Sequence, residues 1–258
     1  MAYLRLLSTD FDGTLIAHPS DGRCSPAFAE VLNLHRATGG LWAINTGRGL
    51  DHAIEGIGIF AGPYEPDFLL TNEREIFLRT GEGVWEPDIS WNETCRQCHE
   101  ELFSRAGLII SKITEVASHS PDVTLIHENG TLVGLVTSSE AVMEEIAGFI
   151  IREAVEIPEF HFQRNTVYMR FCHRDYHKGA ALGALCRSLS IGREQVFAGG
   201  DHFNDLSMLD GKYAAFPCCP SNAIDEVKFV VRSAGGYVAT KAAADGVAEA
   251  WRFFTSCP

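Results

Sequence analysis

The apolar residues of this 258-residue chain follow two rhythms. Towards both ends they form short continuous runs separated by amphipathic stretches, and in the middle they alternate between turn dipeptides. Tyr3-Leu4-Arg5-Leu6-Leu7-Ser8, Leu41-Trp42-Ala43-Ile44 and Asp67-Phe68-Leu69-Leu70-Thr71 read as strands, the first two as buried apolar runs. Between the first two, Ser25-Pro26 opens a helix, Ser as cap and Pro at the first helical position. Phe28, Val31, Leu32 and Leu34 mark its apolar side, and Gly39-Gly40 ends it. A second helix is predicted over Leu50 to Ile57. This alternation predicts a parallel sheet covered by helices.

From about Glu75 the texture changes. Thr80-Gly81-Glu82-Gly83, Glu128-Asn129-Gly130 and Arg164-Asn165 are hairpin signals between short apolar runs. Ser90-Trp91-Asn92-Glu93 spells a capping box opening a helix to about Arg105, and a further helix is predicted over Glu140 to Ala154. The first rhythm then returns, with a helix over Lys178 to Leu189 and a strand over Gln195 to Gly199. Short strands are predicted at Tyr213 to Phe216 and Lys228 to Val231, then a closing helix over Lys241 to Phe254. The expectation is a Rossmann-like α/β core, a parallel sheet with helices on both faces, formed by 1–74 and 174–258. An α+β domain of residues 75–173 is inserted in it.

Composition narrows the function classes. The chain is 46% hydrophobic and 21% charged, ordinary for a soluble globular protein. Its net charge is −13 and no Lys/Arg-rich run occurs, which argues against nucleic acid or an anionic membrane as the main partner. No export leader and no stretch approaching 18 apolar residues is visible, so a cytoplasmic protein is expected, with its eight cysteines as free thiols. His18-Pro19-Ser20-Asp21-Gly22 reads as a polar, turn-rich loop.

The candidate chemistry starts at the end of the first strand, in Asp10-Phe11-Asp12-Gly13-Thr14-Leu15. Carboxylates two residues apart on a strand point to one side and repel unless a cation or proton is shared between them. Gly13 allows a turn, and Thr14 offers a hydroxyl and an N–H to an anion. Such a set suits phosphoryl transfer, one carboxylate attacking, one moving a proton and a metal holding the charges; it also suits a solvated turn. Thr46, at the end of the second strand, can donate to a phosphate oxygen, with Gly47 permitting close backbone approach. Lys178 can neutralise phosphate charge. Asp201 and Asp205 add carboxylates at another strand end, a hard-ligand set suited to Mg²⁺. Taken singly, each piece is also a common turn, cap or solvated residue.

In their order and spacing the four pieces resemble the haloacid dehalogenase superfamily of phosphohydrolases. Asp10-Phe11-Asp12-Gly13-Thr14 matches its first motif, Thr46-Gly47-Arg48 its second, Lys178-Gly179 its third, and Gly200-Asp201-His202-Phe203-Asn204-Asp205 its fourth. The insert resembles a type-II, subclass B cap, as in Cof-like, sucrose-phosphatase-like and phosphomannomutase-like members. The resemblance implies Asp10 as nucleophile and Asp12 as general acid and base. It implies Mg²⁺ held by Asp10, the Asp12 backbone carbonyl and Asp201, with Asp205 supporting the metal or orienting Lys178. Thr46, Gly47, Lys178 and Asn204 would hold the phosphoryl group, and Arg48 and Arg164 are substrate candidates.

The implied activity is hydrolysis of a small phosphorylated metabolite, such as a sugar phosphate, by a monomer or homodimer. A phosphosugar mutase using the same aspartyl-phosphate and a non-catalytic phosphate sensor are the alternatives. One departure stands out. Members often carry Asn-Gly-Ala after the third strand, whereas Asn72 is followed here by Glu73-Arg74. His127, His161 and Arg170 are further cap residues that could reach a substrate. Cys95-Arg96-Gln97-Cys98-His99 spells a haem-attachment pattern, but its cysteines recur with Trp91 and Leu102 at helical spacing and read as a buried helix face.

Overall fold

The computed structural model of the chain describes residues 3–17, 22–128 and 130–256. The loop expected over His18 to Asp21, Asn129 of one hairpin and Cys257 lie outside the described residues. In chain order the elements are β1 (Leu6–Thr9), α1 (Pro26–Ala37), β2 (Leu41–Asn45), α2 (Leu50–Phe60), β3 (Phe68–Thr71), β4 (Glu75–Gly81), β5 (Val84–Pro87), α3 (Ile89–Arg105), α4 (Gly107–Ser118), β6 (Val123–Glu128), β7 (Thr131–Thr137) and α5 (Glu140–Glu153). There follow β8 (Phe160–Arg164), β9 (Tyr168–His173), α6 (Lys178–Ser188), β10 (Val196–Gly199), α7 (Leu206–Leu209), β11 (Phe216–Cys219), α8 (Asp225–Ser233), β12 (Tyr237–Val238) and α9 (Ala243–Ser256). They form two compact units, residues 1–92 with 178–258, and residues 93–177.

The first unit is built on a sheet of order β12-β11-β10-β1-β2-β3-β4-β5, parallel from β12 to β3 and antiparallel over β4 and β5. The period-two alternation of strand side chains divides its core in two. Leu7, Trp42, Ile44 and Leu69 join Phe28, Phe60 and Val247 on one face, bringing in α1, α2 and α9. Leu6, Ala43, Leu70 and Val196 join Leu182, Met208 and Val227 on the other, bringing in α6, α7 and α8. The fold is thus the α/β class expected. Ser25 caps α1 through Phe28 N–H at 3.2 Å, with Pro26 in its first turn, as the sequence predicts.

Several expectations need correction, among them the strand expected at Tyr213 to Phe216, which begins only at Phe216 and runs to Cys219. The inserted domain does not begin at 75, because β4 pairs with β3, and the Asn92 side chain bonds the N–H and C=O of Ile76 at 2.8 and 2.9 Å. At the far end 174–177 stay with the second unit, where His173 N–H donates to His99 Nε2 and Tyr176 packs on both rings. Lys228 to Val231 is not a strand but part of α8, since Val227 and Val231, four apart, are both buried on one helix face.

The second unit is an antiparallel sheet of order β6-β7-β9-β8. Leu135, Met169, Phe171 and Phe160 face a core shared with Leu102, Ile113, Met143 and Ile150 of α3, α4 and α5. The sequence reading has two helices in this stretch and misses α4, whose Ile109, Ile113 and Ala117 are buried at helical spacing. Cys95 is buried and Cys98 partly so, the helix-face reading of that pattern. No helix among the described residues is long and apolar enough to cross a membrane.

One buried titratable group in α1 makes stability depend on pH. His35 is 1% exposed and shares a hydrogen bond with Leu41 C=O at 2.9 Å. Burial holds its imidazole below the ordinary 6.5, against the opposing pull of that bond. As pH falls the unfolded chain therefore takes up the proton first. The stability contributed by the neutral ring is complete above about pH 6.5 and is lost below it. His35→Gln removes the titration, so melting curves from pH 7.5 to 5 should show the wild type losing ground to the variant. A constant difference between them would contradict this.

Candidate active site

The site lies where the parallel strands of the first unit end, the position open α/β sheets reserve for ligands. Asp10 directly follows β1, and its N–H donates to Gly199 C=O of β10 at 2.8 Å. The chain then turns sharply. Leu15 and Ile16 N–H both reach Phe11 C=O, and Gly13, with φ +86°, donates to Ile16 C=O at 2.7 Å. A Cβ on Gly13 would stand 2.2 Å from Asp201 Oδ2, so both the turn and the close approach require glycine. Thr14 does not point its hydroxyl at an open anion site. It donates to Asp201 Oδ1 at 2.7 Å, joining the first motif to the fourth.

Lys178, at the start of α6, is fully buried, and its Nζ donates to Asp10 Oδ1 and to Asp205 Oδ1, each at 2.7 Å. Asp205 Oδ2 accepts the N–H groups of Asp201 and His202 at 2.8 and 3.0 Å. Both Asp205 oxygens are thereby engaged. Burial alone would lower the Lys178 pKa, but Asp10 and Asp205 outweigh it and keep the ammonium charged. Burial holds Asp10 well above the ordinary carboxylate range; Lys178 opposes this, and Asp205 and Asp201 add to it. Burial, reinforced by Asp205, pushes Asp201 up to about 7, with Thr14 pulling the other way.

Oxygens of Asp10, Asp201 and Asp205 lie within 4.8 Å of one another. Three buried carboxylates against one ammonium are in excess of negative charge, and all the donor atoms are hard oxygens. This set fits a divalent hard cation.

Thr46, after β2, is buried, and its Oγ1 accepts Arg48 N–H at 3.2 Å, leaving the hydroxyl proton available. Arg48 is not an open substrate cation. Its Nε and Nη2 grip both oxygens of Asp12 at 2.7 and 2.6 Å, and its Cζ lies 5.0 Å above the Phe11 ring. The bond to Asp12 raises the Arg48 pKa, so the guanidinium stays charged. Asn204 likewise has a partner, its Nδ2 donating to Glu73 Oε1 at 3.0 Å.

The structure thus brings together Asp10, Lys178, Asp201 and Asp205, with Asp12 and Arg48 paired beside them. Arg164 belongs to the second unit, where Nη2 bonds Glu144 Oε1 of α5 at 2.5 Å. It stands opposite buried Met169 in the strand register, and so on the helix-covered face of that sheet. Arg170 of β9 donates to both oxygens of Glu128 at 2.8 Å. Sequence reasoning missed Asn222, whose Nδ2 donates to Gly13 C=O while its Oδ1 accepts Ala243 N–H, both at 2.8 Å. A lone Asn after Pro220-Ser221 carries no pattern that would have singled it out.

The charge excess should cost the metal-free protein stability. The folded Asp201 pKa is raised to about 7, so the penalty begins above the unfolded value near 4 and is complete above pH 7. Asn at this position still accepts from Thr14. Metal-free Asp201→Asn should therefore melt above the wild type at pH 8, by about 2–4 °C for each kcal/mol relieved, and the gap should close towards pH 4. An equal or lower melting temperature at pH 8 would refute the excess.

The chain is similar to known proteins in sequence and in fold. Residues 109–251, more than half of the chain, match the family described as haloacid dehalogenase-like hydrolase. A protein of Streptococcus pyogenes serotype M6 that bears a provisional phosphatase name is 23% identical, over 96% of this chain and 97% of its own length. The sucrose-phosphatase of Synechocystis sp. PCC6803, solved with sucrose and phosphate, superposes with a TM-score of 0.72 at 20% identity, covering 99% of each chain. A subclass IIB sugar phosphatase superposes with a TM-score of 0.64 at 16% identity, over 98% of this chain and 100% of its own. The two structural likenesses carry the fold, and the family match carries the membership: this chain belongs to the haloacid dehalogenase-like hydrolases.

Proposed function

We propose that the protein is a Mg²⁺-dependent phosphatase of a small phosphorylated metabolite, a sugar phosphate by class, working through an aspartyl-phosphate on Asp10. The observation that carries this reading is the fully buried Lys178 ammonium clamped between Asp10 and Asp205. It fixes one oxygen of Asp10 and leaves the other to attack phosphorus. Asp10, the Asp12 backbone carbonyl and Asp201 would hold the metal. Asp205, with both oxygens engaged, supports Lys178 and the turn at Asp201. When bound, Mg²⁺ supplies positive charge against the carboxylates and the phosphoryl group.

In the first step the Asp10 oxygen not bound to Lys178 bonds to phosphorus as the bond to the leaving oxygen breaks, and Asp12 delivers a proton to that leaving oxygen. In the second, Asp12 takes a proton from water as the water oxygen attacks phosphorus and Asp10 is released. Microscopic reversibility favours one group for both transfers. In the structure both Asp12 oxygens accept from Arg48. To carry the proton of the first step it has to turn from that fork. The Thr46 hydroxyl, Gly47 and Lys178 would hold the phosphoryl oxygens, where positioning and charge do most of the work. The unit of residues 93–177 is assigned the role of an inserted cap. The sugar-phosphate class is supported by the fold shared with the sucrose-phosphatase and the subclass IIB sugar phosphatase.

Phosphate release from a panel of sugar phosphates and an aryl phosphate tests this. It should require Mg²⁺, vanish in Asp10→Asn, and fall by about 10²–10⁴ in Asp12→Asn. Release that persists in Asp10→Asn, or no release from a folded protein with Mg²⁺, would overturn the reading.

A further inference from the structure

Asn72 and Glu73, which follow β3, both adopt left-handed backbone, with φ of 48° and 66°. A non-glycine residue rarely holds that region unless its surroundings impose it. Here the outcome is a buried carboxylate, Glu73 being 4% exposed. Its N–H donates to Thr46 C=O at 3.0 Å, and its Oε1 accepts Asn204 Nδ2 at 3.0 Å. The same oxygen lies 3.0 Å from where a Cβ on Gly47 would stand, and its charge acts on Lys178. The carboxylate therefore holds Asn204, stands against Gly47 and bears on Lys178, while the Glu73 backbone is tied to that of Thr46.

We infer that Glu73 is a specificity-determining residue, a fixed negative charge in the wall of the phosphate cradle. It favours esters whose leaving group presents hydroxyl or ammonium donors beside the phosphate, and opposes those carrying a second anion. This rests on the phosphatase reading. The Lys178 ammonium is shared by Asp10 and Asp205, and the Arg48 fork is closed on Asp12. In the resting arrangement, before Asp12 turns from the fork, a carboxylate or second phosphate on the leaving group would thus meet Glu73 with both cations paired, whereas a hydroxyl or amine would meet an acceptor. The bond to Asn204 also fixes that amide. If this were all Glu73 did, its loss would change the affinity of every phosphate ester alike.

The test compares ligands that share a phosphate and differ in the charge beside it: glucose 6-phosphate, glucosamine 6-phosphate and 6-phosphogluconate. Their affinities are measured by titration calorimetry with Mg²⁺, using the full chain carrying Asp10→Asn to prevent turnover, with and without Glu73→Gln. Glutamine keeps the length and the acceptor for Asn204 while removing the charge. The preference for glucosamine 6-phosphate over 6-phosphogluconate should fall at least tenfold, about 1.4 kcal/mol, with glucose 6-phosphate between them. If Glu73→Gln does not fold, Glu73→Gly, suited to positive φ, carries the same expectation. A preference unchanged within about twofold, or no binding of any of the three, overturns the inference. Aryl phosphate turnover by the wild type is measured beside it. Turnover with no change in preference sinks the role of Glu73 alone, and a changed preference without turnover sinks the reaction but not the charge selection.

Discussion

A fully buried ammonium group is the constraint on which the first unit turns. Removing Lys178 from water costs on the order of several kcal/mol unless its charge is met at close range. The two carboxylates that meet it come from Asp10, 168 positions earlier, and Asp205, 27 later. Both must arrive on the same side of the sheet. That holds because β1 and β10 are parallel neighbours in register, Thr9 beside Gly199, so their following loops start together. On the other side of β1, Asn45 of β2 donates to Lys178 C=O at 3.0 Å and secures the start of α6. Gly179 belongs to the same constraint, since a Cβ there would stand 2.0 Å from Ser207 C=O and force α6 away. A parallel sheet, a close helix approach and a paired charge are one requirement seen at three scales.

The clamp is not enough to balance the site. Asp10 and Asp201 both sit above the ordinary carboxylate range because burial disfavours their charge and their neighbours are acidic. Strain adds to this, with left-handed backbone at Asn72 and Glu73 immediately after β3. Burial, like charge and strain gathered at one strand-end cluster are what a stability-driven sequence would remove, and what a binding site retains. The two cores flanking the sheet, with Trp42, Phe28 and Phe197 on one side and Leu182, Met208 and Val227 on the other, supply the apolar burial that offsets them.

Much of this was legible in the sequence because it is written in local periodicity. The continuous runs at β1 and β2 require burial on both faces, and Ser25-Pro26 specifies a helix start by its own chemistry. The motif residues were legible as residue types at strand ends. What failed depends on partners rather than on pattern. Lys228 to Val231 is as suitable for a strand as for a helix by composition, and only the shared burial of Val227 and Val231 decides it. The β4–β5 hairpin looks like the hairpins of residues 93–177, and only its pairing with β3 places it in the other unit. By residue type Thr14, Arg48 and Asn204 suit a ligand, yet each has an acidic partner inside the protein. A sequence shows donors and acceptors but not which of them are already spent on each other.

That pairing also divides the labour proposed for the two aspartates of the first motif. Asp10 is buried and bound through one oxygen to Lys178, and the other oxygen is the one assigned to attack. Asp12 is half-buried and gripped through both oxygens by Arg48, whose guanidinium packs over Phe11, the residue between them. One carboxylate is thus fixed by a compact point charge and the other by a planar fork, and the two cations are not interchangeable. A lysine in place of Arg48 would keep the charge but lose the bidentate grip and the stacking that orient Asp12. An arginine in place of Lys178 would have to fit a larger head into a fully buried position. Neighbouring residues of one chemical type thereby acquire different freedom to move, which is what separating attack from proton transfer demands.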